Sequence, residues 1–173
     1  INIVDYDYFY ISGYEMEAEQ AADVILQALA NRKPETLVVF DASPRIQYIP
    51  QATIERLLSP GVLIHCNQDE INAIIPGQSS LEAKCHQMFS KTQTPVVVTL
   101  GERGAYFFAG DDSGIVSPVQ AKVVNTLGAG DTFCGGLIAG LAEGLSVRSA
   151  ITKANQLAGL VVGQESGTLL DRS

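Results

Sequence analysis

Positive charge is scarce in this 173-residue chain: 11 lysines and arginines stand against 19 aspartates and glutamates, for a net charge of −8. That balance argues against a nucleic-acid backbone or an anionic membrane as partner, although single basic residues can still meet a phosphate. Cysteine is scarce too. Cys66, Cys85 and Cys134 make an odd count with no C-x-x-C spacing, so neither a disulfide framework nor a zinc site follows, and a reducing, cytoplasmic home is expected. No apolar run is long enough to span a bilayer, and no signal peptide is visible. Repeats, low-complexity tracts and linkers are missing as well. What is present, 46% hydrophobic and 17% charged residues, predicts a single soluble α/β domain over residues 1–173 with a sizeable core. The chain opens on Ile1 in strand-forming residues, which we read as a sign that residues are missing upstream.

Short apolar runs alternate with helical patterns. Residues 6–12 read as a strand that Gly13 ends. The segment 15–32 places Ala21, Val24, Ile25, Ala28 and Leu29 at helical spacing. "TLVVFDAS", "GVLIHCN" and "PVVVTLG" are continuous apolar runs, as strands buried on both faces require. Helices are expected at "TIERLLS", at "QDEINAII" and at 79–92, the last capped by Ser79 or Ser80. "GAYFFAG", "GIVSPV" and "AKVVNT" read as short strands, with "GDDSG" a hairpin connection. Helices at 129–143 and 146–162 follow. This alternation indicates an α/β fold with a parallel sheet, in which ligands bind beyond the carboxyl ends of the strands.

Four clusters lie at those ends. In "NTLGAGDTFCGG", Gly128, Ala129 and Gly130 allow a tight turn into a helix whose first N–H groups can face an anion, and Asp131 could accept a proton from an attacking hydroxyl. The plainer alternative is that Asp131 is an N-cap. The turn is neither a Walker A loop, since no Gly-Lys-Ser/Thr follows, nor a dinucleotide fingerprint, since Phe133 takes the third glycine's place. In "CNQDE", Asn67 and Glu70 share one side of a first helical turn and could hold a magnesium-bound water, Glu70 being the candidate metal residue. The alternative is a helix start with Asn67 as cap and Glu70 completing the box. Thr99, Gly101 and Gly104 follow a buried strand and could meet a nucleotide, or form an ordinary turn. Asp41 and Arg45 in "FDASPR" could meet substrate or phosphate oxygens, or pair at the surface. His65 reads as a satisfied core histidine, His86 receives no role, and Cys134 reads as a small packing residue.

In this order the segments resemble the PfkB, or ribokinase-like, carbohydrate kinases. "ISGY" resembles the family's strand-end turn. "FDASPR" resembles its Asp-x-Asn-x-Arg segment, with Ser43 in the Asn place. "NQDE" is similar to its Asn-x-x-Glu motif, "VTLGERG" to its Thr-x-Gly-x-x-Gly nucleotide loop, and "NTLGAGDTF" to its Gly-Ala-Gly-Asp signature. "KANQLAG" resembles the helix beside the adenine, with Asn155 at the matching position.

The resemblance implies a ribokinase-like three-layer α/β/α fold and transfer of the ATP γ-phosphate to a sugar hydroxyl. Asp131 would be the base, and the amides of Gly128, Ala129 and Gly130 an anion hole. Asn67 and Glu70 would position Mg2+ and phosphates through water. Thr99, Gly101, Gly104 and Asn155 would shape the ATP site, while Asp41 and Arg45 would face substrate. The partner implied is a sugar or sugar-like small molecule, with room for a homodimer. The family's N-terminal Gly-Gly motif and β-stranded lid are absent, so the chain resembles the C-terminal part, expected to turn over little alone. Asn125 replaces the usual Asp of a monovalent-cation loop found in several relatives, which leaves that cation open. Nucleoside or vitamin-precursor kinases and non-catalytic ligand-sensing relatives remain alternatives.

Overall fold

The computed structural model describes residues 2–119 and 124–163. They fall into two compact units. The first holds the chain up to Thr99 together with Phe108–Ser113, and the second holds Leu100–Phe107 and the residues from Gly114 onward.

The first unit is a parallel sheet with its crossovers. Strands β1 (Tyr8–Ser12), β2 (Leu37–Asp41), β3 (Val62–Asn67) and β4 (Val96–Thr99) pair in chain order. Each crossover carries helix: α1 (Glu19–Ala30), α2 (Gln51–Leu57), then α3 (Gln68–Ile74) and α4 (Leu81–Thr92). Neighbouring parallel strands need such crossovers, because a tight turn cannot reverse the chain twice. The apolar runs are strands for the expected reason. Val38, Val39, Phe40, Val62, Leu63, Ile64, Val96, Val97 and Val98 are all fully buried. Each such side chain contributes about 1.5–3 kcal/mol by leaving water, which only a sheet covered on both faces can collect.

Helix α1 corrects one detail. Its buried stripe is Ala22, Ile25, Leu26 and Leu29, with Ala28, whereas Ala21 and Val24 face solvent. The sequence carries two overlapping apolar stripes, and the one rotated by a residue meets the core. The helix also starts at Glu19 rather than 15, because Ser12 and Glu15 form a capping box on a short 3-10 turn, Gly13–Met16. Strand β1 begins at Tyr8, two residues later than expected, since the Tyr6 N–H closes a turn onto the Ile3 carbonyl. Of the two candidate caps of α4, Ser80 does the work: its Oγ accepts from Ala83 N–H at 3.2 Å.

The second unit contains all but the last residue of β5 (Ala105–Phe108), all but the first of β6 (Ser113–Val116), and helices α5 (Ala129–Ala142) and α6 (Val147–Val162). The turn joining β5 to β6 belongs to the first unit and is closed by Ala109 N–H on the Asp112 carbonyl. Of the strand expected at 121–126, residues 121–123 lie outside the described residues, and 124–126 form no strand. Helices α5 and α6 pack closely through small residues. A Cβ on Gly136 would lie 2.9 Å from Ala154 Cα, and one on Gly140 2.8 Å from Ala150 Cα. Among the described residues, no helix is long and apolar enough to cross a membrane. All three cysteines are free and buried, including Cys134 in α5.

Candidate active site

The parallel register assembles polar groups at the carboxyl edge of the first unit. Ser12 pairs with Asp41, and Asp41 with His65. One step further along, Asn67 pairs with Thr99. Partners in register share a face, so one face of an otherwise apolar sheet ends in polar side chains.

Asp41 is buried and both of its oxygens are engaged. Tyr10 Oη donates to Oδ2 at 3.2 Å, and His65 Nδ1 lies 3.1 Å from Oδ1. Arg45 is engaged as well. Its Nε and Nη2 donate to the two oxygens of Glu17 at 2.9 and 2.6 Å, and its guanidinium stacks 4.2 Å over the Tyr48 ring. The bond to Arg45 lowers the pKa of the Glu17 carboxyl. Asp41 and Arg45, expected to face substrate, thus have protein partners in this structure. Between them Ser43 adopts φ 57°, a left-handed conformation that Asn adopts more readily than Ser. That conformation explains why an Asn suits this position in the motif "FDASPR" resembles.

Asn67 and Glu70 form the capping box of α3. Asn67 Oδ1 accepts from the N–H groups of Asp69 and Glu70, both at 2.9 Å. In return Glu70 accepts from Asn67 N–H and Asn67 Nδ2, both at 2.8 Å. Glu70 is only 6% exposed. Burial raises its pKa above the usual carboxylate value, opposed by the Asn67 N–H bond, and the Asp41 charge raises it further. A cation nearby would reverse that effect, and each oxygen keeps a second lone pair. The helix-start reading and the metal reading are therefore compatible, and the donor set fits magnesium held through water. Thr99 Oγ1 leans toward the Cys66 carbonyl at 3.4 Å, too long for a strong bond.

In the second unit Gly101–Arg103 form a 3-10 turn, closed by Leu100 N–H on the Gly104 carbonyl at 2.7 Å. Gly104 adopts φ 88°, ψ −135°, a region essentially reserved for glycine. Its neighbour is the Val116 carbonyl, 2.1 Å from where a Cβ would stand. The same carbonyl accepts from Asn155 Nδ2 at 3.2 Å, and the Ser117 carbonyl accepts at 3.0 Å. Gly104 and Asn155 thus meet at the end of β6, and Asn155, buried in α6, anchors that segment.

Asp131 lies in the first turn of α5 and is exposed. Gly128 precedes it at φ 76°, and Thr132 N–H closes the turn on the Gly128 carbonyl. Ala129 differs from expectation: its N–H already donates to the Thr126 carbonyl at 3.2 Å. The N–H groups of Gly128, Gly130 and Asp131 have no partner among the described residues. Free donors at the positive end of a 14-residue helix, with a carboxylate alongside, suit a phosphoryl group and a proton acceptor.

The family model for pfkB family carbohydrate kinases matches residues 2–171. The chain belongs to this family. The ribokinase-like likeness of its motifs is thereby borne out. An uncharacterized sugar kinase of Escherichia coli (strain K12), YegV, is 33% identical over 162 residues, covering 91% of this chain and 50% of that protein. Among solved structures, adenosine kinase from Sinorhizobium meliloti superposes with a TM-score of 0.82 at 24% identity, over 97% of this chain and 52% of that one. An E. coli ribokinase II candidate in complex with ATP and Mg2+ gives 0.80 at 20% identity, over 95% and 55%. These likenesses establish the ribokinase-like α/β fold. This pfkB-family chain spans about half the length of the relatives it matches.

Sequence reasoning missed Tyr10, Glu17 and His65 as partners in this region. Glu15 carried a signal, the Ser-x-x-Glu spacing of "SGYE". His65 carried a weaker one, a polar residue at the end of an apolar strand.

Proposed function

We propose that the protein transfers the γ-phosphate of ATP to a hydroxyl of a sugar or sugar-like molecule, and that this chain is its C-terminal, nucleotide-binding and catalytic part. The observation that carries this reading is Asp131, exposed beside three N–H groups that have no partner among the described residues. Asp131 takes the proton of the incoming hydroxyl. The N–H groups of Gly128 and Gly130 stabilise charge developing on the transferred group, which needs donors already in place rather than donors recruited during the step. Ala129 contributes through the turn that its N–H closes.

Asn67 and Glu70 hold magnesium through water. Magnesium, when bound, supplies positive charge against the phosphate oxygens. Thr99, Gly101 and Gly104 shape the nucleotide site, with Asn155 fixing the segment that follows β6. Arg45 reaches a substrate anion only by leaving Glu17. Free, buried cysteines are consistent with a reducing cytoplasm.

A second reading, phosphorylation of a nucleoside, is favoured by the likeness to adenosine kinase. Incubating the complete protein with ATP, Mg2+ and a panel of sugars and nucleosides separates the two. Phosphate transfer to a sugar is expected. Transfer to nucleosides alone supports the second reading, and transfer to no acceptor refutes both.

A further inference from the structure

Strands β1, β2 and β3 are joined at their carboxyl ends by a chain of side chains that the proposed reaction does not use. Tyr10 donates to one oxygen of Asp41, and His65 Nδ1 meets the other. The carboxylate can only accept, so Nδ1 carries the proton between them. Asp41 is 8% and His65 3% exposed. Every other side chain of β2 from Val38 onward, and of β3 as far as Cys66, is apolar and buried.

A buried polar pair is weak evidence of stabilisation, because taking both groups out of water offsets most of what their hydrogen bond contributes. An aliphatic pair would hold β2 against β3 at least as well. What the pair adds is direction. Asp41 and His65 are in register, and Ala42 N–H continues the ladder onto the His65 carbonyl at 2.9 Å. His65 lies two residues before Asn67, on the same strand and the same face. Holding the imidazole therefore holds the backbone from which the Asn67–Glu70 box starts. Tyr10 extends the bracing to β1.

We infer that Tyr10, Asp41 and His65 are positioning residues that set the placement of Asn67 and Glu70 and, through them, the use of Mg2+. The role in turnover rests on the phosphotransfer reading above, whereas the placement itself does not.

The test uses the complete protein and three variants. His65→Leu removes the donor, His65→Asn restores an N–H near the Nδ1 position, and Tyr10→Phe removes only the hydroxyl. Groups that orient a metal-binding residue typically change metal use by about 10–100-fold. His65→Leu is expected to raise the Mg2+ concentration for half-maximal rate about 10-fold, with a smaller change in kcat. His65→Asn is expected to return it to near the parent value, and Tyr10→Phe to move it in the same direction as His65→Leu by a lesser amount. The backbone amide resonances of Asn67, Asp69 and Glu70, recorded without nucleotide, are expected to shift in the same order.

An unchanged Mg2+ requirement in both His65→Leu and Tyr10→Phe overturns the proposal, as does His65→Asn behaving like His65→Leu. If His65→Leu does not fold, the Tyr10→Phe result decides, since Tyr10 is 44% exposed and its hydroxyl alone is lost. If the parent protein phosphorylates no acceptor, the kinase reading falls and the amide resonances alone decide the placement. Resonances that stay fixed in Tyr10→Phe and His65→Asn then overturn it.

Discussion

Replacing Asp131 with Asn in the complete protein is expected to lower kcat by about 100- to 10,000-fold while nucleotide affinity changes little. Removing a general base of this kind raises the barrier by about 2.7–5.5 kcal/mol, at about 1.36 kcal/mol per factor of ten. The structural effect is far smaller. Asn has nearly the same shape, the position is exposed, and no hydrogen bond to the Asp131 carboxylate is seen among the described residues. What the fold loses is a negative charge at the start of α5, worth about 0.3–1 kcal/mol. The two magnitudes do not overlap, so a loss of turnover without a fall in melting temperature identifies Asp131 as a reacting group. Turnover unchanged by the substitution would favour a non-catalytic member of the family, with Asp131 a helix-end charge only. Steady-state kinetics beside calorimetric titration of an ATP analogue separates the outcomes.

The second large effect is structural. Gly104→Ala is expected to destabilise the protein by about 2–6 kcal/mol, from left-handed strain of about 1–3 kcal/mol and overpacking of similar size. The overpacking is specific: the new methyl would meet the Val116 carbonyl at 2.1 Å, and that oxygen is held from its other side by Asn155. Gly101→Ala is the internal control. Gly101 also has a positive φ, 61°, but a Cβ there meets nothing within 4 Å. Only the left-handed penalty of about 1–2 kcal/mol applies to it. Denaturant unfolding of both variants measures the gap. Equal stabilities would mean that the Val116 carbonyl does not pin this turn.

Where the physics was local, the sequence already showed it. Continuous apolar runs placed β2, β3 and β4 to within two residues at either end, because a parallel strand buried on both faces has no other pattern. The Asn67–Glu70 box was equally readable, since donor and acceptor stand three residues apart and the bonds are made within one turn. Rotation of α1 was not, because the choice between Ala21/Val24 and Ala22/Leu26 is made by the surface it packs on. Nor was the pairing of Asp41 with His65, 24 residues apart, or of Arg45 with Glu17, 28 apart. Those depend on strand register and on where the 3-10 turn after β1 points, which no local rule fixes. At Ala129 the local rule itself was incomplete. A glycine at φ 76° before the helix folds Thr126 back over the first amide, and the expected donor becomes a turn bond.

The most direct test of the whole account is a crystal structure of the complete protein with Mg2+, a non-hydrolysable ATP analogue and the sugar that the acceptor panel selects. The account predicts the N–H groups of Gly128 and Gly130 on oxygens of the terminal phosphate and the Asp131 carboxylate within about 2.6–3.2 Å of the acceptor hydroxyl. A terminal phosphate bound away from the start of α5, with Asp131 pointing into solvent and the sugar hydroxyl held by another base, would contradict it.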